Sequence, residues 1–318
     1  MTTATASTPA EAAAAVREAG RLGISCRRAA SCAHVQLDLR PMRSIRFYQP
    51  GDLTVGADAG CTVAQLNAAL AEHNQFVPLD VAAPETTTLG AVLACRLSGP
   101  LRHRFGSVRD FTIGLEMVAS DGSLTHCGGR VVKNVAGYDW MKPVIGSRGA
   151  LGIITGANLK VFPRPEGIEC AAFGGLSWAQ VEALRTALLH APLRPLAVEL
   201  RARGEERSVT VTYCGSGTVR ARYRTELAAL GPPVRFQECG LPAATAAINV
   251  SFPPAQAVAA LAALGPAAEI SGRLTLGLYA VSPAPPRRRA IPAAELELMQ
   301  RLKSALDPGG VFHGDDCG

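Results

Sequence analysis

Between Gly128 and Pro165 the chain reads GGRVVKNVAGYDWMKPVIGSRGALGIITGANLKVFPRP, where glycines interrupt two stretches of buried-strand character. Without a Cβ, Gly146, Gly149 and Gly152 admit positive φ and let main-chain N–H groups come close to a ligand. The polar groups Lys133, Asn134, Tyr138 and Asp139 precede them, and the apolar Leu151–Ile154 follows. The combination predicts backbone brought against a large flat ligand, although a sharp turn that binds nothing explains the glycine spacing alone more economically. Leu151–Thr155 reads as a β-branched strand that residues 157–162 extend, until Pro163 and Pro165 stop it.

A second segment shifts that balance. Thr86-Thr87-Thr88-Leu89-Gly90-Ala91 leads through Ala94-Cys95 and Ser98-Gly99-Pro100 to Arg102, Arg104, Phe105-Gly106-Ser107 and Arg109-Asp110. Small residues and hydroxyls interspersed with cations suit a pyrophosphate-bearing cofactor held by main-chain amides and short side chains. Taken together, residues 84–165 resemble the FAD-binding domain of the vanillyl-alcohol oxidase and para-cresol methylhydroxylase (PCMH) superfamily. Within it, GSVRDFTIG, DGSLTHCGGRVVKNVAGYD and KVFPRP are most similar to the FAD-binding subunits of bacterial glycolate oxidases.

The resemblance implies an α+β fold: a two-subdomain FAD-binding PCMH-type domain over residues 1–165, then a smaller α+β cap domain over 166–318 with a C-terminal return segment. It implies FAD contacts at Thr87, Thr88, Leu89, Gly90, Ala91, Ala94, Ser98, Gly99, Gly106, Ser107, Gly149, Gly152, Ile153 and Ile154. It also implies two partners in a glycolate oxidase complex, a catalytic flavoprotein subunit and an iron-sulfur subunit, with a small 2-hydroxy acid as the substrate of the complex.

Composition is consistent with this. Of 318 residues, 48% are hydrophobic and 18% charged, which favours a globular chain over a disordered one. The net charge of +6 is scattered with no basic helical stripe, so nucleic acid is not expected as a partner, and anionic substrates or acidic subunits fit better. Nine cysteines without a C-x-x-C pair read as reduced thiols, not as a zinc or iron-sulfur site. Cys26 and Cys32 have the spacing to meet, with nothing requiring it. No run of about twenty apolar residues predicts a transmembrane helix, and the N-terminus lacks the pattern of a signal peptide. A cytoplasmic location follows, or one peripheral to the inner face of the membrane through partners.

Local signals place the elements. Thr8-Pro9-Ala10-Glu11 opens a helix over 9–19 that Gly20 ends, and Thr62-Val63-Ala64-Gln65 opens another after a strand over 53–57. Beyond the Pro/Gly punctuation at 163–167, residues 176–190 and 219–230 read as helices, and 196–202, 208–214 and 246–252 as strands. The arginine- and proline-rich 284–292 reads as a solvated loop.

Departures from the family bear on function. Where members carry a glycine-rich phosphate loop, this chain has Gly23-Ile24-Ser25-Cys26-Arg27-Arg28-Ala29-Ala30-Ser31-Cys32, a poor amide nest that Arg27 and Arg28 offset only if they pair with phosphate. The closing turn 306–312 matches, but His313-Gly314-Asp315-Asp316 replaces the usual sequel, which predicts a more open cofactor cleft. The six histidines show no metal-ligand spacing, so no metal site and no catalytic residue is assigned. His103, between two arginines, faces either the cofactor or water. Lys133 and Tyr138 are assigned to domain packing or subunit contact before catalysis. The expectation is an FAD-binding oxidoreductase subunit of a glycolate (2-hydroxy acid) oxidase complex. The alternatives are a flavin-free scaffold of that complex and a self-sufficient FAD-dependent 2-hydroxy acid dehydrogenase.

Overall fold

Hydroxyl caps fix the helices of the first half. Thr8 accepts the Glu11 amide at 3.2 Å to start the helix Pro9–Ala19, while the Glu11 carboxylate turns back to the Ser7 amide and hydroxyl, both at 2.8 Å. Thr62 and Gln65 form the reciprocal box that opens Val63–Ala71. Thr88 caps the helix Leu89–Cys95 by accepting the Ala91 amide at 3.2 Å. Each such cap is worth about 1 kcal/mol. The structure, a computed structural model, describes residues 2–20, 23–25, 35–131, 139–244, 248, 250–283 and 292–312.

These helices cover a five-stranded antiparallel sheet whose spatial order is Ile45–Gln49, Thr54–Asp58, Ile153–Lys160, Thr112–Val118 and Leu124–Gly128. Val55, Ala57, Leu115, Met117 and Leu159 meet Leu66, Leu70, Leu89, Val92 and Leu93 in one apolar core. Full burial of each leucine contributes roughly 1.5–3 kcal/mol. A small parallel sheet of Thr2–Thr5, Val35–Asp38 and Ile24–Ser25 packs with Pro9–Ala19 around a second core. The phosphate-loop reading at 26–32, with Cys26, Arg27, Arg28 and Cys32, lies outside the described residues, apart from Gly23–Ser25 at its start.

The second half is a seven-stranded antiparallel sheet in the order Val234–Glu238, Glu169–Gly174, Glu206–Tyr213, Ala197–Arg203, Glu269–Arg273, Leu278–Ser282 and Val250–Ser251. Alternation divides its faces. Val198, Leu200, Val209, Val211, Ile270 and Val281 pack beneath the helices Trp178–His190, Gly217–Ala228 and Ala257–Ala262. The register puts Glu199 opposite Arg273 and Arg201 opposite Ser271, on the other face. Of the strand expected over 246–252, the described part is Val250–Ser251. The helix Ala257–Ala262, the hairpin Glu269–Arg273 with Leu278–Ser282, and the helix Ala293–Leu306 were not anticipated. The loop 284–291 lies outside the described residues.

After Ala293–Leu306 the chain turns back and buries Val311 and Phe312 beside Val16, Ile24, Leu37 and Ile153. The Asp307 carboxylate accepts the Val311 and Phe312 amides at 2.8 and 2.9 Å and also pairs with Lys303. Lys303 Nζ donates to the carbonyls of Ala150 and Phe312, both at 2.8 Å, and the Ile24 amide donates to Val311 O at 2.8 Å. The return is therefore tied into the first half as far as Phe312. His313, Asp315 and Asp316 lie outside the described residues.

Asp307 is 3% exposed and satisfies two buried amides and an ammonium. Asp307→Ala should cost about 3 kcal/mol in urea-induced unfolding, since it leaves both amides and Lys303 without that acceptor. A loss under about 1 kcal/mol would show the turn to be held by Val311 and Phe312 packing alone.

Candidate functional site

The segment 86–99 wraps the start of Leu89–Cys95, and its amides are largely spoken for. Thr87 N donates to Ala83 O at 2.9 Å, Leu89 N to Cys61 O at 2.8 Å and Gly90 N to Ala59 O at 2.7 Å. The Ala91 amide goes to the Thr88 hydroxyl. Gly106 N bonds Arg102 O at 3.0 Å, and the Ser107 amide and hydroxyl both reach the Asp110 carboxylate at 2.7 Å. The small residues thus give close-packed backbone with hydroxyls at its edge, not the open amide cradle the sequence suggested.

Residues 144–152 close against the far end of that helix. Gly146 N donates to Leu93 O at 3.0 Å and Arg148 N to Ala94 O at 2.8 Å. This puts Ala94, Gly146 and Gly149 on one side of the first half, and Gly149, at φ +85°, has open space where a Cβ would point. Gly152 lies deeper: a Cβ there would sit 2.0 Å from Met117 Cε, and Ile153 and Ile154 are buried in the cores. Between these glycines the Ser147 hydroxyl is buried with no hydrogen-bond partner among the described residues, as is Arg109 Nε. The segment Lys133–Tyr138 lies outside the described residues.

Cations gather nearby. Burial and the neighbouring Arg96 both depress Arg102, with Asp110 the opposing charge. Burial raises the Asp110 carboxyl, but hydrogen bonds from Ser107 and the charges of Lys142 and Arg102 hold it below its ordinary value. Arg109 and Lys142 are cross-linked, the guanidinium donating to Lys142 O and Lys142 Nζ to Arg109 O at 2.6 Å. Positive charge in excess of its counter-ions suits an anionic ligand.

The other end of the segment meets the second sheet. The Asp80 carboxylate, 8% exposed, accepts the Gly99 amide at 2.8 Å and the Leu101 amide at 2.5 Å. Gly99 permits this approach, because a Cβ there would lie 2.3 Å from Asp80 Oδ2. From the second sheet, Arg273 donates to Ser98 O, and the Thr275 hydroxyl lies 2.9 Å from His103 Nδ1. His103 is therefore half-buried at the junction, not an exposed loop residue, and is depressed by burial and by Arg104. Phe76, Phe105 and Phe162 stack edge to face at 5.5 and 5.1 Å beside Leu101 and Leu196. Beside the junction lies a small open cleft lined by Pro100, Glu199, Arg201, Ile248, Ser271 and Arg273. Sequence reasoning missed Asp80, Ser147, Glu199 and Arg273. The only signal was polar alternation along 197–203 and 269–273, and it does not show which face is covered.

Residues 3–128 match the family model described as FAD binding domain. Among curated relatives, the glycolate oxidase subunit GlcE of Escherichia coli is 41% identical over 130 residues, which is 41% of this chain and 37% of that one. D-2-hydroxyglutarate dehydrogenase, mitochondrial, of Rattus norvegicus is 32% identical over 43% of this chain and 25% of its own length. The glycolate oxidase subunit GlcD of Bacillus subtilis is 34% identical over 39% and 27%. The matched stretches thus span well under two thirds of these relatives. The solved structure of an alkyldihydroxyacetonephosphate synthase superposes with a TM-score of 0.71 at 17% identity, covering 98% of this chain and 75% of that one, which establishes a shared fold. No helix among the described residues is long and apolar enough to cross a membrane.

The Asp80 junction makes stability depend on pH. Burial pushes its carboxyl up to about 7, against the downward pull of the Leu101 and Gly99 amides and of Arg273. The folded state then holds a proton that the unfolded chain, with a carboxyl near 3.8, has released. Stability from this group should be full below about pH 4 and fall as pH rises to about 7. Urea midpoints measured from pH 4 to 8 should carry this decline, and Asp80→Asn should flatten it. An unchanged slope in the variant would assign the decline to other groups.

Proposed function

We propose that this chain, whose residues 3–128 match the family model described as FAD binding domain, is an FAD-dependent oxidoreductase subunit that serves the oxidation of small 2-hydroxy acids. The match of the first half to the FAD binding domain carries this reading, and the names of the relatives support the substrate class. The subunit names GlcE and GlcD support placing it in a glycolate oxidase complex with a catalytic flavoprotein subunit and an iron-sulfur subunit. We place the division between its two halves at the Pro/Gly punctuation near 165.

The residues present fit the cofactor. Ser147 Oγ and Arg109 Nε are buried donors without partners among the described residues, and Gly149, two residues from Ser147, has open space where a Cβ would point. Arg96, Arg102 and Lys142 supply charge for the pyrophosphate, and Thr87, Thr88 and the small residues 89–94 supply hydroxyls and close-packed backbone. We propose Thr87, Thr88, Leu89, Gly90, Ala91, Ala94, Ser98, Gly99, Gly106, Ser107, Gly149, Gly152, Ile153 and Ile154 as its surroundings. Because the amides of Leu89, Gly90, Ala91 and Gly99 are engaged within the chain, those positions act through packing and side chains. Bound there, FAD supplies a two-electron acceptor. The chain's own groups orient it through Ser147 and the arginines, and the Asp80–Arg273 junction holds the second sheet over that side.

Purified protein should show flavin absorption bands at about one flavin per chain. A colourless protein with an intact unfolding transition would instead support the flavin-free scaffold. Ser147→Ala should weaken flavin binding about fivefold, the value of one hydrogen bond, and leave the melting temperature unchanged. Unaltered affinity in a fluorescence titration would remove Ser147 from the site.

A further inference from the structure

We propose that Lys303 is a positioning residue for the cofactor: its ammonium makes the C-terminal return a clasp that holds the turn 147–150 to the small parallel sheet, so that flavin binding and closure of the return support one another. The cofactor's part in this rests on the function proposed above. The clasp itself rests on geometry.

The turn needs such a hold. Gly146, Arg148 and Gly149 have φ of +98°, +55° and +85°, and one of the three carries a side chain. A non-glycine residue at positive φ is disfavoured and persists only where its surroundings over-determine it. On one side the helix Leu89–Cys95 does so, its Leu93 and Ala94 carbonyls accepting the Gly146 and Arg148 amides. On the other side the hold is Lys303, whose Nζ donates to Ala150 O at 2.8 Å. Between the two lie Gly149 and the Ser147 hydroxyl, which is buried without a partner among the described residues.

An ammonium has three N–H groups, and this one directs them at three separate points of the chain. These are Ala150 O in the turn, the Asp307 carboxylate at the helix end, and Phe312 O at 2.8 Å in the return. The Lys303 side chain is 33% exposed and that of Asp307 is 0%, so the pair is better shielded than a surface ion pair. Asp307 in turn accepts the Val311 and Phe312 amides, Val311 O accepts the Ile24 amide, and Phe312 bridges to Ile24 in parallel. Val311, Phe312, Ile24 and Ile153 share one core. One side chain therefore ties the turn 147–150 and the start of Ile153–Lys160 to the strand Ile24–Ser25. Lys303, Asp307, Val311, Phe312 and Ile24 are not among the residues proposed to surround the cofactor, so their effect on it runs through the position of the turn. Such linkage is reciprocal: what closure adds to flavin affinity, flavin adds to closure.

The test combines FAD titration and amide hydrogen exchange on the full-length protein freed of bound flavin. Lys303→Met should weaken FAD about tenfold, the value of a hydrogen bond from a charged donor, and Lys303→Arg should stay within about threefold of the unaltered protein. Because Lys303→Met leaves Asp307 without its cation, the pair Lys303→Met with Asp307→Asn serves as a second variant and should show the same loss. Leu261→Ala, in the core of the second half, should lower the urea midpoint and leave FAD affinity unchanged. FAD should slow exchange of the Ile24, Val311 and Phe312 amides at least about fivefold, and Lys303→Met should speed exchange at Ala150 and Ile24 together. Equal FAD affinity in Lys303→Met and the unaltered protein overturns the proposal, as does an equal loss in Leu261→Ala. Exchange at Ile24 that ignores FAD does so too. FAD binding with no response of Ala150 and Ile24 to Lys303→Met sinks the clasp alone. Coupled exchange in a chain that never takes up FAD sinks the cofactor reading and leaves the clasp standing.

Discussion

A carboxylate at Asp80, almost removed from water, accepts the amides of Gly99 and Leu101, while Arg273 reaches across from the second sheet to the carbonyl of Ser98. These contacts fall on three residues of one short stretch, Ser98, Gly99 and Leu101, and they fix where the two halves of the molecule meet. On one side of the junction the chain runs back into Leu89–Cys95 and the Ser147 turn, and on the other it runs on through His103 and the Phe76–Phe105–Phe162 cluster. Apolar packing of Leu101 and Phe76 against Leu196 joins the halves alongside the junction, and the charged contacts add orientation at the expense of burying two ionisable groups. The glycine at position 99 is the steric condition for this, since any side chain there would collide with the Asp80 carboxylate.

Much of the first half was legible because its signals are local. Caps at Thr8, Thr62 and Thr88, strand composition over 153–160 and the proline stop at 163 each act within a few residues. The second half was legible only as far as its two strand-helix-strand units. The hairpin 269–282 and the helix Ala257–Ala262 escaped notice because an alanine-rich, proline-broken stretch carries weak periodicity, and tertiary packing decides its state. The site divides in the same way. Glycines and threonines at 87–91 and 146–152 announce close backbone approach, but not where their amides are spent. That depends on Ala59, Cys61 and Ala83, which only the fold brings alongside. Asp80 and Arg273 are 193 residues apart in sequence, and nothing local to either marks it as half of a junction.

The spent amides also change how the glycine-rich pattern is to be read. Such a pattern is commonly taken as a nest of open N–H groups for phosphate. In this chain, the N–H groups at 87, 89, 90, 91 and 99 are satisfied internally, and the donors left over are side chains: the Ser147 hydroxyl, Arg109 Nε and the guanidiniums of Arg96 and Arg102. Affinity for an anionic cofactor built this way depends on long, charged side chains held around a rigid small-residue floor. It should be more sensitive to ionic strength than a nest of backbone amides, because part of the attraction comes from partly exposed charges.

The same logic extends to the second sheet. Its three helices cover one face completely, so the other face is free to be polar wherever it meets the first half. A sheet that only capped the cofactor side would be expected to present apolar or neutral residues there, since unpaired charge at a buried junction is destabilising. Glu199, Arg201 and Arg273 instead share that face beside Asp80, so two guanidiniums meet two carboxylates and the charges offset one another across the junction.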